Sequence, residues 1–283
     1  MNEKININGY FDRIGFTGSI APTLQTLEAL TALHPASIPF ETLSPLLGKP
    51  VLLDQKSLER KMLTERRGGY CFEHNLMLMR VLADLDFSVR PLGARSLWGL
   101  DPDSVEPISH MLLAVDISGS SYIADVGFGG PTPTGPLRLR DGVEQKTPHE
   151  RYRLIDIGGE WRLEIRLGPE DWRAMYRFTL EELAEEDYQA INTQVSSAPD
   201  APFTRMLAAA IAPKGARHTL ADTELSHYTE DGISKETLNS VEALKTALTD
   251  VFGIALPEDE ALDATLERVI SGSAAPETSV AQG

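Results

Sequence analysis

Cys71 is the single cysteine of the chain, and it follows Arg66-Arg67-Gly68-Gly69-Tyr70 at the start of an apolar stretch. A helix beginning at Cys71 would aim free N–H groups and the positive end of its dipole at the sulfur. With two arginines nearby, that field favours the thiolate, the reactive form. The glycine pair would let backbone approach a substrate and leave the Cys71 N–H free to donate to an oxyanion. A lone cysteine is more often a buried structural one, so its partners decide. His110 and Asp125 are suited to that role. Between them, Ser118-Gly119 has the composition of a two-residue hairpin turn. Such a turn pairs residue 117 with residue 120 and makes His110 and Asp125 diagonal neighbours on one face. In that register the carboxylate holds one imidazole nitrogen and leaves the other to a thiol, the arrangement that activates a cysteine nucleophile. A slip of one residue would put the two on opposite faces.

The elements that must position these residues follow from periodicity. Residues 1–87 read as three or four helices, with Pro22 in a first helical turn and Leu24, Leu27 and Leu30 on one face. Asp54 caps a segment running through Leu58 and Met62, ended by Gly68-Gly69. Phe72, Leu76, Leu78, Met79, Val81, Leu82 and Leu85 are apolar over more than one stripe, which predicts a helix buried in a core and beginning at Cys71. Residues 88–192 are mainly strand, at 88–98, 110–117, 122–126, 151–157, 161–166 and 172–179, with turns at Ser118-Gly119 and Gly158-Gly159. A short helix with an acidic face follows at 181–191. Residues 193–204 form a polar loop between units. Residues 205–270 mix strands at 205–212, 217–220 and 224–229 with helices at 235–251 and 257–270, and the small polar residues 271–283 are expected to be disordered. No internal repeat is present. The pattern is that of an α+β chain in successive units.

Composition narrows the function. The 283 residues carry 26 Lys+Arg against 42 Asp+Glu, a formal charge of −16. So acidic a chain excludes bulk nucleic-acid binding through a basic face and leaves a local cationic pocket, with Arg66 or Arg217, for an anionic ligand. At 42% hydrophobic the chain can bury a real core. One cysteine permits no intrachain disulfide and no multi-cysteine metal centre, which fits a reducing compartment. No apolar run approaches the roughly 18 residues of a membrane span, and the N-terminus lacks the apolar region of a signal peptide. The expectation is a soluble, cytoplasmic protein without a membrane partner. A metal site drawn from His74, His110 and Asp125 fails, because no ligand pair has the i, i+4 spacing of a helical zinc motif. Gly127-Phe128-Gly129-Gly130 lacks the lysine and the following helix of a nucleotide loop, and reads as a turn beside the site.

The string Arg67-Gly68-Gly69-Tyr70-Cys71-Phe72-Glu73-His74-Asn75 closely resembles the signature of the arylamine N-acetyltransferases, bacterial type. Ser109-His110, Asp125-Val126-Gly127-Phe128-Gly129 and Ile38-Pro39-Phe40-Glu41 join it, as does the stretch from Asn192 to Phe203-Thr204. The resemblance spans most of the chain. It implies three domains, an N-terminal helical bundle, a central β-barrel and a C-terminal α/β lid, the first two related to cysteine proteases and transglutaminases. It implies acetyl transfer from acetyl-CoA to arylamines, arylhydrazines or N-hydroxyarylamines in two steps, with Cys71 as acyl carrier, His110 as base and Asp125 as its orienter, and no metal. On the same ground Phe40, Tyr70, Phe128 and Phe203 line the acceptor pocket. Ser109, Gly127, Gly129, Phe203, His227 and Tyr228 meet CoA.

Glu41 and Glu73 read as structural, with an ion pair to Arg67 bracing the nucleophile helix. Ser109, Thr42 and Ala201 depart from the family's usual residues and bear on cofactor and acceptor preference rather than on the triad. Two other functions fit the same residues. One is a thiol hydrolase or amidase in which water takes the acyl group, and the other is a ligand-binding relative without turnover. Oligomeric state leaves no trace in the sequence.

Overall fold

The computed structural model describes residues 4–198 and 201–272. The tail read as disordered lies outside these from residue 273, as do Pro199 and Asp200 of the polar loop. The first part holds α1 (Ile7–Ile14), α2 (Leu24–Ser37), β1 (Phe40–Glu41), the single turn α3 (Leu43–Leu46), α4 (Gln55–Glu59) running into a π-helical turn (Arg60–Thr64), and α5 (Cys71–Asp84). Thr23 caps α2 and leaves Pro22 outside the helix, one residue earlier than expected. The Asp54 carboxylate accepts the Ser57 N–H at 3.0 Å and caps α4, as its type predicts. That segment stops at Arg66, at φ 51°, before the glycines are reached.

An eight-stranded antiparallel sheet follows: β2 (Ser88–Ser96), β3 (His110–Ile117), β4 (Ser120–Ala124), β5 (Leu137–Arg138), β6 (Gln145–Lys146), β7 (Arg151–Asp156), β8 (Trp161–Arg166) and β9 (Trp172–Glu182). Its order is β5-β4-β3-β2-β9-β8-β7-β6, so the first and last members are both two-residue strands. One side chain joins them. The Gln145 amide accepts the Arg138 N–H at 2.7 Å and donates to the Arg138 carbonyl at 2.8 Å, so the sheet curls into a nearly closed barrel.

Residues 181 and 182 end β9, and the helix expected at 181–191 is α6 (Glu185–Ser197), which takes residues 193–197 from the expected loop. After α6 and a 3₁₀ turn (Pro202–Thr204), the strands β10 (Ala208–Ile211), β11 (Ala216–Ala221), β12 (Glu224–Thr229) and β13 (Gly232–Thr237) pair in sequence. α7 (Val241–Thr246), a second π-helical turn (Ala247–Val251) and α8 (Leu262–Ser271) complete the chain. β1 joins this sheet too, Phe40 opposite Ala210, so the N-terminal part lends a strand to the C-terminal one. β13 occupies residues read as the start of a helix at 235. Its Lys235 and Glu236 resemble helix surface in the sequence, yet here they dress an exposed edge strand, with Lys235 paired to Glu224 at 2.7 Å.

Three apolar clusters result. β3 is buried on both faces: Met111, Leu113 and Val115 pack on α5, while Leu112 and Ala114 point into the barrel beside Leu154, Leu163 and Phe178. The third cluster lies between the five-stranded sheet and the last helices, around Leu220, Leu248, Phe252 and Leu266. This period-two division lets one strand present residues to the nucleophile helix while closing the barrel.

A buried polar chain threads the first cluster. The His74 Nε2–H donates to the Pro39 and Gly69 carbonyls at 3.1 and 3.0 Å, which leaves His74 Nδ1 to accept from His34 Nε2 at 2.7 Å. His34 Nδ1 then accepts the Tyr10 hydroxyl at 2.8 Å. Every role is fixed, because carbonyls only accept. Burial pushes both imidazoles down, His34 well below its ordinary value and His74 to about 4. The unfolded chain therefore binds protons between about pH 4 and the ordinary histidine value while the native state does not, and stability must fall as pH drops through that window. The urea midpoint should decline steadily over that range, and less steeply in a His74→Asn variant. A flat midpoint in the parent chain would show that the pair is not held neutral.

Candidate active site

Cys71 opens α5, and the preceding turn is tied down by Glu73, whose carboxylate accepts the Tyr70 N–H at 3.0 Å and pairs with Lys61 at 2.7 Å. As a first-turn residue, Cys71 has an N–H with no carbonyl one turn back to bond. Arg67 binds Glu41 through Nε and Nη2 at 2.9 and 2.7 Å, the ion pair expected for a buried glutamate. That pairing turns Arg67 toward Glu41, and Arg66 is exposed. The glycines also serve differently than expected. A Cβ on Gly68 would lie 1.8 Å from the Pro39 carbonyl oxygen, and the Glu41 N–H donates to the Gly69 carbonyl at 2.7 Å. The missing side chain of Gly68 admits Pro39 and Glu41, and that of Gly69 admits Glu73 and Met62, rather than a substrate.

His110 begins β3, and Asp125 is the first residue past β4. Ser118 and Gly119 both have positive φ, 49° and 75°, the turn that matches strand twist, and Ile117 pairs with Ser120 as that turn dictates. His110 Nε2 then lies 2.7 Å from Asp125 Oδ2. Nδ1 is the nitrogen left for the sulfur, and the Cys71 thiol stands 4.0 Å from the Ser109 carbonyl beside it. Burial works against charge on the imidazole, yet the Asp125 carboxylate and the neighbouring Cys71 sulfur outweigh it and hold His110 at about 10. Burial likewise opposes the Asp125 charge, but His110, Asn75 and the Gly127 amide keep its carboxyl below the usual range. The imidazole is charged at neutral pH and sets that charge beside the Cys71 sulfur. Positive charge at Cys71 thus comes from His110 rather than from the arginines.

Two residues of this site escaped the sequence reading. Asn75 stands four residues after Cys71, one helical turn along the same face, and that spacing is the signal that could have found it. Its Nδ2 donates to Asp125 Oδ1 at 3.0 Å and to the Met111 carbonyl at 2.7 Å, and its Oδ1 accepts the Val126 N–H at 3.1 Å. Tyr176 comes from the far strand β9, with its ring centroid 5.0 Å from His110. Its hydroxyl makes no well-formed hydrogen bond, but it lies near enough to Asp125 for that carboxylate, after burial, to raise the phenol. Nothing in the sequence marks it.

The aromatic residues fall into two groups. Phe128 packs edge-on against His110 at 5.0 Å and against Trp98 at 6.5 Å. Phe203 packs edge-on against Phe40 and Tyr70 at 6.1 and 5.5 Å. Phe40, Phe128 and Phe203 are half-buried, whereas Tyr70 is fully enclosed and its hydroxyl binds Asn192. The Gly127 N–H donates to Asp125 Oδ1 at 3.0 Å, so that amide faces the triad rather than a ligand. Gly129 takes φ 90° against the Phe40 ring. His227 and Tyr228 lie on β12, His227 Nδ1 being 2.7 Å from His218 Nδ1. Arg217, opposite Tyr228, is only 5% exposed and bound to Glu150, so it is no open cation for an anionic ligand.

The sequence model of the N-acetyltransferase family matches residues 23–261. The chain belongs to the arylamine N-acetyltransferase family. An arylamine N-acetyltransferase of Mycobacterium tuberculosis is 40% identical over 254 residues, which cover 88% of this chain and 89% of the relative. The solved Mycobacterium marinum arylamine N-acetyltransferase superposes with a TM-score of 0.90 at 38% identity, over 94% of this chain and 100% of that one. The same Mycobacterium marinum protein in complex with CoA gives 0.89 at 38% identity, over 93% and 99%. Arylamine N-acetyltransferases are acyltransferases, and this chain is an enzyme of that class. Among the described residues no helix is long and apolar enough to cross a membrane.

Removing the Asn75 amide takes one donor from the Asp125 carboxylate and weakens its hold on the imidazolium. Asn75→Ala is expected to move the His110 pKa down from about 10, read by NMR titration of the imidazole protons. An unmoved titration would show that Asn75 does not bear on the pair.

Proposed function

We propose that the chain transfers an acetyl group from acetyl-CoA to the nitrogen of arylamines, arylhydrazines or N-hydroxyarylamines through an acetyl-Cys71 intermediate. The observation that carries this reading is the 2.7 Å contact of His110 with Asp125 beside the thiol at the head of α5. Cys71 is the acyl carrier, His110 the acid and base, and Asp125 its orienter. The Cys71 thiolate attacks the thioester carbonyl of acetyl-CoA. The tetrahedral oxyanion is stabilised by the Cys71 N–H, and its collapse expels the CoA thiolate, which takes the His110 proton. The neutral imidazole next accepts a proton from the amine nitrogen as it attacks acetyl-Cys71, and the leaving Cys71 thiolate restores the starting pair. Because Asp125 holds Nε2, the proton moves through Nδ1 in both steps.

The aromatic residues Phe40, Phe128 and Phe203 form the acceptor wall, which an aromatic amine requires. Tyr70 supports it from behind. Ser109, Gly127, Gly129, Phe203, His227 and Tyr228 are the residues assigned to CoA by the family resemblance, with Gly127 acting through the shape of its loop, since its amide is held by Asp125. On this reading residues 1–87, 88–192 and 205–270 are the bundle, barrel and lid of a protease-like core, with the first apolar cluster shared between α5 and β3 and the last between α3 and the lid. A reducing cytoplasm suits an enzyme whose one cysteine must stay a thiol.

Intact mass after brief exposure to acetyl-CoA should rise by one acetyl group, and an added anisidine should remove it as acetylated amine appears. Cys71→Ser should abolish the transfer with the fold retained. Asp125→Asn, which holds the wrong imidazole tautomer, should lose on the order of 10³- to 10⁴-fold. An adduct that water clears as fast as the amine does would instead favour the hydrolase.

A further inference from the structure

We propose that Arg217 is the positioning residue of the aromatic wall beside His110, gripping from the five-stranded sheet the loop that carries Phe128. The proposal rests on reading Phe128 as part of the acceptor wall, and it assigns that wall's placement to a residue of another sheet. All of the guanidinium is engaged. Nε donates to Glu150 Oε1 at 2.9 Å, Nη2 to Glu150 Oε2 at 2.7 Å and to the Thr132 carbonyl at 2.9 Å, and Nη1 to the Gly130 carbonyl at 2.5 Å. The Tyr152 hydroxyl lies between them, donating its single proton to Glu150 Oε2 at 3.0 Å with the Pro131 carbonyl oxygen 3.1 Å away. The loop carbonyls at 130 and 132 are therefore held by Arg217, and Tyr152 steadies the Glu150 carboxylate that orients it.

The other end of the loop is fixed as well. Gly127 donates to Asp125, and a Cβ at Gly127 would stand 2.9 Å from Cys71 Cα, so its backbone rests directly on the nucleophile helix. Between the two anchors the chain turns at Gly129 and projects Phe128 onto His110, Tyr176 and Trp98. A planar fork is what binding a carboxylate and two carbonyls together requires, and a lysine ammonium cannot reproduce it. His149 ties the same seam independently, bonding Thr134 at 2.9 Å and the Pro213 and Ala216 carbonyls at 2.9 and 3.0 Å, so the sheet stays docked when Arg217 is changed.

Cys71 is the sole cysteine, so its alkylation reports on the site without any acetyl transfer. Rates would be compared for bromoacetanilide, an aromatic reagent, and iodoacetamide, a small one. Wild type should favour the aromatic reagent. In Arg217→Lys that preference should fall about tenfold, the scale of a lost aromatic packing interaction, with the iodoacetamide rate within about twofold of wild type. Tyr152→Phe, which takes a hydrogen bond from the Glu150 carboxylate that orients Arg217, should shift the preference the same way by a smaller factor, and it decides the matter where Arg217→Lys fails to fold. The proposal is overturned by an unchanged preference in the folded variant, by both rates falling together, or by a wild type that takes both reagents equally. Acetyl adduct formation by wild type, measured alongside, fails separately if the transferase reading is wrong.

Discussion

The Asp125 carboxylate is the point on which three parts of the chain converge. Its Oδ2 meets His110 from strand β3, and its Oδ1 takes Asn75 from helix α5 and the Gly127 N–H from the loop beyond. A fully buried carboxylate costs several kcal/mol to desolvate and persists only when its lone pairs are filled. Each filled lone pair also constrains geometry. With the hairpin register set by its turn, the seating of α5 and the path of the loop are tied to this one side chain, and the charge on His110 follows from it.

Backbone packing completes what this charge begins. Gly68 lies beneath Cys71 along the chain, where a Cβ would collide with the Pro39 carbonyl, and Gly127 lies over it, where a Cβ would collide with Cys71 itself. The Cys71 backbone is thus bordered by two close approaches of main chain. Such contacts fix where the first turn of α5 stands, and with it the base from which the sulfur projects.

What the sequence discloses depends on how local the signal is. The cap at Asp54, the turn at Ser118-Gly119 and the buried helix from Cys71 are written in neighbouring residues, and the turn alone carries the His110–Asp125 register. The family signature around Cys71 names the likeness on the same local ground. The two-residue strands β1, β5 and β6 are too short to show a period, and β13 has the composition of a solvated helix because an edge strand needs charges. The use of Gly68 is not legible, because the close approach of Pro39 is set by a remote pairing, and the space at Gly69 is taken by Glu73 and Met62. Tyr176 and the burial of Arg217 are likewise products of tertiary folding. A cation that composition offers to a ligand was already claimed by Glu150.

The barrel's seam bears on how such a chain can diverge. Elsewhere around the ring, neighbouring strands are joined by backbone ladders, so a change of length in either one shifts a register. Between β5 and β6 the Gln145 amide imitates a peptide group from a side chain, and the connecting residues are bound to β7 in turn, the Gly142 N–H donating to the Leu154 carbonyl at 2.8 Å. Loop length enters closure entropy only logarithmically. Between residues 139 and 144 an insertion is therefore borne where it spares Leu139, Asp141 and Gly142, which tie the connection to β4 and β7, and there the outer surface can change while His110 and Asp125 keep their alignment.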